Sequence, residues 1–146
     1  MTKPDALHVS VINRQRKFAL DWDRLSMETV FAIEGLGHHW PREITEVDVV
    51  LIAPRFSGQI HARYCGDSRP TDVITFPWGE LLVCPAVAER QRRESGLSLH
   101  EEILTYICHG LLHLCGEDDA TEAGYFRMAQ RQDQLRAYAS GRNPDQ

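Results

Sequence analysis

An apolar segment with a marked beginning and end, residues 98–116, constrains the fold more than any other part of this chain. It opens with Ser98 and Glu101 at the spacing of a helix-capping box, and it closes at Gly116, a residue type that commonly ends helices. Between these ends the apolar residues recur at helical spacing: Ile103, Leu104, Ile107, Leu111 and Leu114. So wide an apolar stripe predicts a central buried helix, running from Ser98 to about Cys115, with the rest of the chain packed around it.

Two histidines on this helix indicate a metal site. His109 and His113 are four residues apart and therefore share one helix face, as in the H-x-x-x-H helices that bind zinc. Beyond Gly116 the chain can turn back and offer a third ligand from Asp118 or Asp119. With Asp119 the pattern is H-x-x-x-H-x-x-G-x-x-D, the metzincin ligand spacing with aspartate in third position. The spacing predicts one divalent ion, zinc before others, held by His109, His113 and Asp119.

Two features of the same segment qualify this prediction. A metalloprotease carries its glutamate base directly after the first histidine, and here that position is Gly110, which argues against peptide hydrolysis. Asp119 and Glu122 also have capping-box spacing at the start of a last helix, so Asp119 is a metal ligand, a helix cap, or both through its two oxygens. Asp118 and Thr121 are the other residues that could provide the cap.

Apolar periodicity places the remaining elements. It predicts strands at 7–12, 44–52, 73–76 and 81–84, and helices at 23–37, 56–64, 85–94 and 121–139. Pro54 is expected to end the second strand, and Ser57 is expected to cap the short helix after it. The order predicts one α+β domain over residues 1–146, with a small mixed β-sheet, a buried central metal-binding helix and a frayed tail at 140–146.

Composition narrows the functional classes. A net charge of −5 argues against a protein that coats nucleic acid nonspecifically, although local basic clusters are still compatible with it. No secretory leader and no apolar run of about 20 residues is evident, so we expect a cytoplasmic protein without a membrane partner. The cysteines form no C-x-x-C pair. Cys108 and Cys115 are expected to be packing residues, with soft ligation of the same metal as the alternative.

Three stretches resemble a known family. The run H-G-L-L-H-L-C-G-E-D-D at 109–119 is similar to the H-G-x-L-H-L-x-G-Y-D-H motif of the YbeY-type endoribonucleases, which are rRNA maturation factors. The run G-D-S-R-P-T-D-V-I-T-F-P at 66–77 resembles that family's G-x-D-x-P-T-D-V-L-S-F-P block. The run G-E-L-L-V-C-P at 79–85 resembles its G-D-I-x-I-C strand. The resemblance extends from residue 7 to about residue 136, with the motifs in the family's order.

The resemblance implies a specific fold and activity. It implies an α+β fold with a metzincin-like metal helix that holds zinc through His109 and His113, with Asp119 where the family has a third histidine. It implies metal-dependent endonucleolytic cleavage of single-stranded RNA in maturation of the 16S rRNA 3′ end and in ribosome quality control. The expected partners are single-stranded rRNA and the small ribosomal subunit.

This chain departs from the family pattern at three positions. Asp119 replaces the third histidine, Glu117 replaces a tyrosine and brings a negative charge near the expected RNA phosphate, and Cys65 replaces an arginine thought to matter for activity. Arg63 and Arg69 are the candidate replacements for that lost cation. If 57–64 is helical, Arg63 points away from position 65. Arg69, in a turn, is therefore the hypothesised phosphate contact.

Three functions compete at this stage. The first is a metal-dependent, single-strand-specific endoribonuclease, for which the sequence identifies no general base. The second is a non-catalytic ribosome assembly or interaction factor that retains a structural metal site, favoured by the joint loss of the family's arginine and third histidine. A metalloprotease is the third, and Gly110 argues against it.

Overall fold

The computed structural model of this protein describes residues 7–66 and 72–142. Its elements are, in chain order, β1 (His8–Arg14), α1 (Trp22–Leu36), a 3₁₀ turn (Gly37–His39), β2 (Glu46–Ile52), α2 (Pro54–Cys65), β3 (Val73–Phe76), β4 (Glu80–Val83), α3 (Pro85–Ser95), α4 (Leu99–Leu114) and α5 (Glu122–Gly141). Apart from the 3₁₀ turn, this is the order that the periodicity predicts. None of the helices within these two ranges has the length and apolar character that crossing a membrane requires.

The four strands form one mixed sheet in the order β1-β2-β4-β3. β1, β2 and β4 run parallel, and β3 pairs antiparallel with β4, with Val73 opposite Val83 and Phe76 opposite Glu80. Helices connect the parallel strands, because a parallel pair needs a long crossover. The prediction of an α+β fold with a small mixed sheet is confirmed.

Each face of the sheet packs against a separate hydrophobic core. Along β2, Val49 and Leu51 belong to the larger core, whereas Val50 and Ile52 belong to the smaller one, as alternation of side chains along a strand requires. The larger core also takes in α1, α4 and α5, and most of α4 is buried within it. The smaller core packs Ile60 of α2 against the opposite face. The predicted buried central helix is therefore α4.

The ends of α4 are set by local hydrogen bonds. Oγ of Ser98 accepts from the backbone N–H of Glu101 at 3.1 Å, and the Glu101 carboxylate accepts from the Ser98 N–H at 3.1 Å. These are the two reciprocal bonds of a capping box, as predicted. After the helix, Gly116 has φ +91°, a conformation that favours glycine. The chain turns there and leads back across the histidine face.

Two boundaries differ from the prediction. α2 begins at Pro54, whose fixed φ and missing N–H suit a first helical position, so Ser57 is a buried residue of the first turn and is not the cap. At the other end of the chain, α5 continues to Gly141, two residues into the segment predicted to be frayed. Ala139 is buried there, and packing of α5 on α1 supports this last turn.

Candidate metal centre

Two histidines and one aspartate converge where α4 ends and the following loop returns. The Nε2 atoms of His109 and His113 are 3.0 Å apart, and their rings are nearly perpendicular. Oδ2 of Asp119 lies 3.5 Å from Nε2 of His109 and 3.8 Å from Nε2 of His113. In the part of the chain that the structure describes, these three residues form the one group of at least three His, Cys, Asp or Glu side chains spaced to hold a metal ion.

The outer nitrogens of both rings are held by acceptors. Nδ1 of His113 is 3.0 Å from the backbone carbonyl of Glu117, and Nδ1 of His109 is 2.7 Å from Oε1 of Gln132 on α5. With Nδ1–H donating to each oxygen, both Nε2 atoms carry bare lone pairs that face one another. Such an arrangement repels unless a cation lies between the two nitrogens. Partners of this kind also fix the tautomer of metal-bound histidines.

The surroundings of His113 favour its neutral form. Burial lowers the pKa of His113 below its ordinary value, the neighbouring His109 lowers it further, and the Asp119 carboxylate opposes both effects. A histidine must be deprotonated to bind a metal ion. The lowered pKa therefore keeps His113 ready to act as a ligand at neutral pH.

The donor set fits a divalent ion. Zinc bonds to histidine nitrogen and carboxylate oxygen are about 2.0–2.2 Å long, so the ligand atoms of a tetrahedral site lie roughly 3.3 Å from one another. The three separations here, 3.0, 3.5 and 3.8 Å, bracket that value. Three protein ligands also leave a position open for water or substrate, as catalytic zinc sites do.

The helix-cap alternative for Asp119 is resolved by the neighbouring residues. The N-cap of α5 is Thr121, whose side-chain oxygen accepts from the N–H of Gly124 at 3.0 Å. Asp118 accepts from the N–H of Ala120 at 2.8 Å. With the cap supplied by Thr121, the Asp119 carboxylate remains directed at the two histidines.

Gly110 is a packing residue at the closest approach of α4 to the sheet. A Cβ atom at this position would lie 2.8 Å from a methyl carbon of Leu81 and 3.0 Å from the Thr75 hydroxyl oxygen. A glutamate in the metalloprotease position would require the Leu81 and Thr75 side chains, or the helix itself, to shift. The steric requirement therefore adds to the sequence argument against a protease.

A cavity of about 440 Å³ opens beside the metal centre, with His109 and His113 in its wall. The other lining residues come from α2, from the segment around β3 and from the end of α4: His61, Cys65, Asp72, Val73, Ile74, Thr75, Pro77 and Leu114. No lysine or arginine is among these described lining residues. A phosphate that entered the cavity would therefore depend for positive charge on the metal ion or on residues outside this set.

Of the two arginines considered as replacements for the family's arginine, the structure describes Arg63 but not Arg69. Arg63 is exposed on α2, where its guanidinium lies 5.7 Å from the centroid of the Tyr64 ring, and it is absent from the cavity lining. Arg69 lies outside the described residues, so its predicted phosphate contact stays a prediction. Cys65, at the position of the family's arginine, is exposed and lines the cavity.

Glu117 does not bring an unbalanced charge to the site. Its carboxylate pairs with Arg131 of α5, and its backbone carbonyl accepts from His113. The expected extra repulsion of RNA phosphate is thus offset by a cation in direct contact. The pairing joins elements that are distant in sequence, and the local motif carries no sign of it.

The two cysteines near the centre take no part in it. Cys108 is fully buried, and burial raises the pKa of its thiol. Burial also raises the pKa of Cys115 to about 11, which keeps that side chain a neutral thiol at neutral pH. Neither cysteine belongs to the group of described residues spaced to hold a metal ion, and this favours the packing role.

Asp72 is a candidate functional residue that the sequence did not single out. It lines the 440 Å³ cavity and also a second cavity of about 410 Å³, on whose wall His109 and Asp119 lie. Its charge raises the pKa of His113, so it is electrostatically coupled to the metal centre. Oδ1 of Asp72 accepts from the N–H of Val73 at 2.8 Å, which orients the carboxylate. Its place within the 66–77 block was the available signal.

Comparison with known proteins identifies the family to which this chain is similar. A family model described as Endoribonuclease YbeY matches residues 10–139. A Frankia casuarinae protein named Endoribonuclease YbeY is 30% identical, with 91% of this chain and 75% of that protein covered. A Thermobifida fusca protein of the same name is 29% identical, with 80% and 84% covered.

The fold agrees with an experimental structure. The solution structure of TM1509 from Thermotoga maritima superposes with a TM-score of 0.56 at 27% sequence identity, covering 91% of this chain and 89% of that one.

Proposed function

The chain belongs to the YbeY endoribonuclease family, and from this premise we propose that it is a metal-dependent endoribonuclease that cleaves single-stranded RNA. Its role would be rRNA maturation at the 3′ end of 16S rRNA, together with ribosome quality control. The small ribosomal subunit would present the RNA in the cytoplasm. The convergence of His109, His113 and Asp119 beside an open cavity is the observation that carries this proposal.

His109, His113 and Asp119 would hold one divalent ion, zinc before others, in a metzincin-like arrangement. Such an ion supplies Lewis-acid activation of water or of a phosphate oxygen. Gln132 and the Glu117 carbonyl would fix both imidazole rings and their tautomers from behind. Gln132 of α5 and the loop after α4 would thus orient the two histidine rings before an ion binds.

We assign the role of general base to Asp72. Among the described residues that line the 440 Å³ cavity, Asp72 is the carboxylate, and His109 and His113 line the same cavity. Asp72 would take a proton from the attacking water while its bond to the Val73 N–H keeps the carboxylate in position.

Elemental analysis combined with an RNA cleavage assay tests the proposal. The purified protein is expected to contain close to one equivalent of divalent metal and to cut a single-stranded fragment from the 3′ end of 16S rRNA. His113→Ala and Asp119→Ala are each expected to lose the metal and the cleavage together, since each removes a ligand. His39→Ala, a change at an exposed histidine in the 3₁₀ turn, is the matched control and is expected to retain both.

The possible results of these two assays distinguish the endoribonuclease from the non-catalytic factor. Cleavage that survives His113→Ala would identify a contaminating nuclease and contradict the proposal. Metal bound at one equivalent without cleavage of any single-stranded RNA would favour the second candidate, a non-catalytic ribosome assembly or interaction factor. Cys65 in place of the family's arginine, in a cavity wall without lysine or arginine among its described residues, is the observation that favours this second candidate.

A further inference from the structure

Three aromatic side chains contact one another in a row beside the cavity, and of these Tyr64 and Trp78 are exposed whereas Phe76 is half-buried against the smaller core. The rings of Phe76 and Trp78 are stacked, with centroids 4.7 Å apart and planes inclined by 14°. Tyr64, at the end of α2, meets the Phe76 ring edge-on at 5.3 Å. Tyr64 is 58% exposed and Trp78 is 63% exposed, although large aromatic residues are usually buried. We call Tyr64, Phe76 and Trp78 the aromatic platform.

A tight turn holds Trp78 in place. The N–H of Gly79 donates to the Phe76 carbonyl at 3.0 Å and closes the turn between β3 and β4. Gly79 has φ +106°, and a Cβ atom there would lie 2.3 Å from the Glu46 carbonyl oxygen, so this position requires glycine. The Gly79 carbonyl in turn accepts from Asp48 of β2 at 2.9 Å. The exposed indole is therefore mounted on a fixed backbone.

The aromatic platform adjoins the cavity that contains His109 and His113, although none of its three rings is among the described lining residues. Tyr64 precedes Cys65, and Phe76 lies between Thr75 and Pro77; all three of these neighbours line the cavity that contains His109 and His113. The Arg63 guanidinium lies against the Tyr64 ring and places positive charge at the edge of the array. An RNA strand that lay across the platform would therefore lie next to the cavity of the proposed metal ligands.

We propose that the aromatic platform stacks an unpaired base of the RNA substrate and so selects single-stranded RNA. This inference rests on the proposed endoribonuclease function. Bases of single strands stack on exposed aromatic rings, whereas bases in a duplex already stack on one another and do not offer their faces. Because a base is neutral, stacking also suits a protein with a net charge of −5, for which attraction of phosphates is weak.

Fluorescence anisotropy with labelled RNA tests the inference, with cleavage followed in parallel on a gel. The probes are a short unstructured single strand, the same strand with one abasic nucleotide at successive positions, and a duplex of the same sequence. Trp78→Leu is expected to weaken binding of the intact single strand by about tenfold, the loss typical of one base–aromatic stack. Trp78→Phe, which retains an aromatic face, is expected to restore most of that binding.

The abasic series provides the specific signature of stacking. One abasic position is expected to weaken binding to the unaltered protein by a similar factor and to have little further effect on Trp78→Leu. Duplex binding is expected to be unchanged by Trp78→Leu. Phe126→Leu, a change at a similarly exposed aromatic residue of α5, is the matched control and is expected to leave single-strand binding unaltered.

Several outcomes would contradict the proposal that the aromatic platform stacks an RNA base. These are equal binding of single-stranded RNA by Trp78→Leu and the unaltered protein, equal loss of single-strand and duplex binding, or no RNA binding at all. Unchanged binding by Trp78→Leu with cleavage intact would refute the platform and leave the endoribonuclease proposal standing. Binding that depends on Trp78 without any cleavage would refute the endoribonuclease proposal and retain the platform.

Discussion

Asp119 changes the chemistry of the candidate centre through its charge. Two neutral histidines and one carboxylate leave a divalent ion with a net charge of about +1, one unit less than three histidines would leave. A less positive ion lowers the pKa of bound water less and is a weaker Lewis acid. A carboxylate oxygen also favours harder ions than imidazole does. Under the proposed function, such an ion would depend on a base at the site more than an ion held by three histidines would.

Asp72→Asn tests whether Asp72 meets that need. The amide keeps an oxygen for the Val73 N–H but cannot take a proton, so we expect kcat for RNA cleavage to fall by about 100-fold or more. The metal content is expected to stay near one equivalent, because the proposed ligands are intact. Single-turnover cleavage and elemental analysis of the same preparation measure the two effects.

The matched change for this prediction is Asp118→Asn. Asp118 is exposed, and Asn retains the acceptor oxygen that bonds to the Ala120 N–H, so cleavage close to the unaltered rate is expected. Asp72→Asn protein that cuts at the unaltered rate would show that the proton goes elsewhere.

At the scale of elements, the contact between α4 and the sheet depends on Gly110. Gly110→Ala is expected to destabilise the fold by about 1–3 kcal/mol, because the new methyl group meets Leu81 and Thr75 at 2.8–3.0 Å and forces the elements apart. Thermal or urea unfolding measures the change. Gly141→Ala, in the last turn of α5 with open space around it, is the control and is expected to be neutral or slightly stabilising. Equal effects of the two changes would show that α4 does not pack tightly at Gly110.

Most elements could be predicted because their signals are local. The capping box of α4, the apolar stripe and the period-two strands each need only a short window of sequence. The strand order β1-β2-β4-β3 and the start of α2 at Pro54 were not accessible in this way. Strand order depends on long-range pairing, and Pro54 is equally compatible with the end of a strand and the first position of a helix.

The candidate site also combines features that local sequence predicts with features that only the folded chain brings together. Proximity of His109 and His113 follows from helix geometry, whereas the role of Asp119 depended on whether another residue capped α5, and Thr121 does so. The Glu117–Arg131 pair and the aromatic platform join residues from different elements. Side chains that meet only in the folded chain leave no periodic or motif signal, and for that reason the sequence did not reveal them.

At the scale of the whole molecule, the net charge and the lining of the cavity bear on which forces would bind RNA. The net charge is −5, and the cavity at the metal centre has no lysine or arginine among its described lining residues. Under the proposed function, we therefore expect phosphate attraction to contribute less to RNA binding than it does in nucleases with a basic surface. Stacking on the aromatic platform would supply more of the affinity, and stacking is not screened by salt as phosphate contacts are.

A binding mode with few phosphate contacts predicts that the affinity for single-stranded RNA depends only weakly on salt concentration. Each phosphate contact to a single strand changes the slope of log K against log salt concentration by about −0.7, so two contacts, from Arg63 and Arg69, give roughly −1.4. Anisotropy titrations over a range of potassium chloride concentrations measure this slope. Arg63→Ala is expected to reduce it by about 0.7, whereas Trp78→Phe is expected to leave it unchanged because stacking releases few counterions. A slope of about −4 or steeper would show that a broad basic surface, and not the aromatic platform, dominates RNA binding.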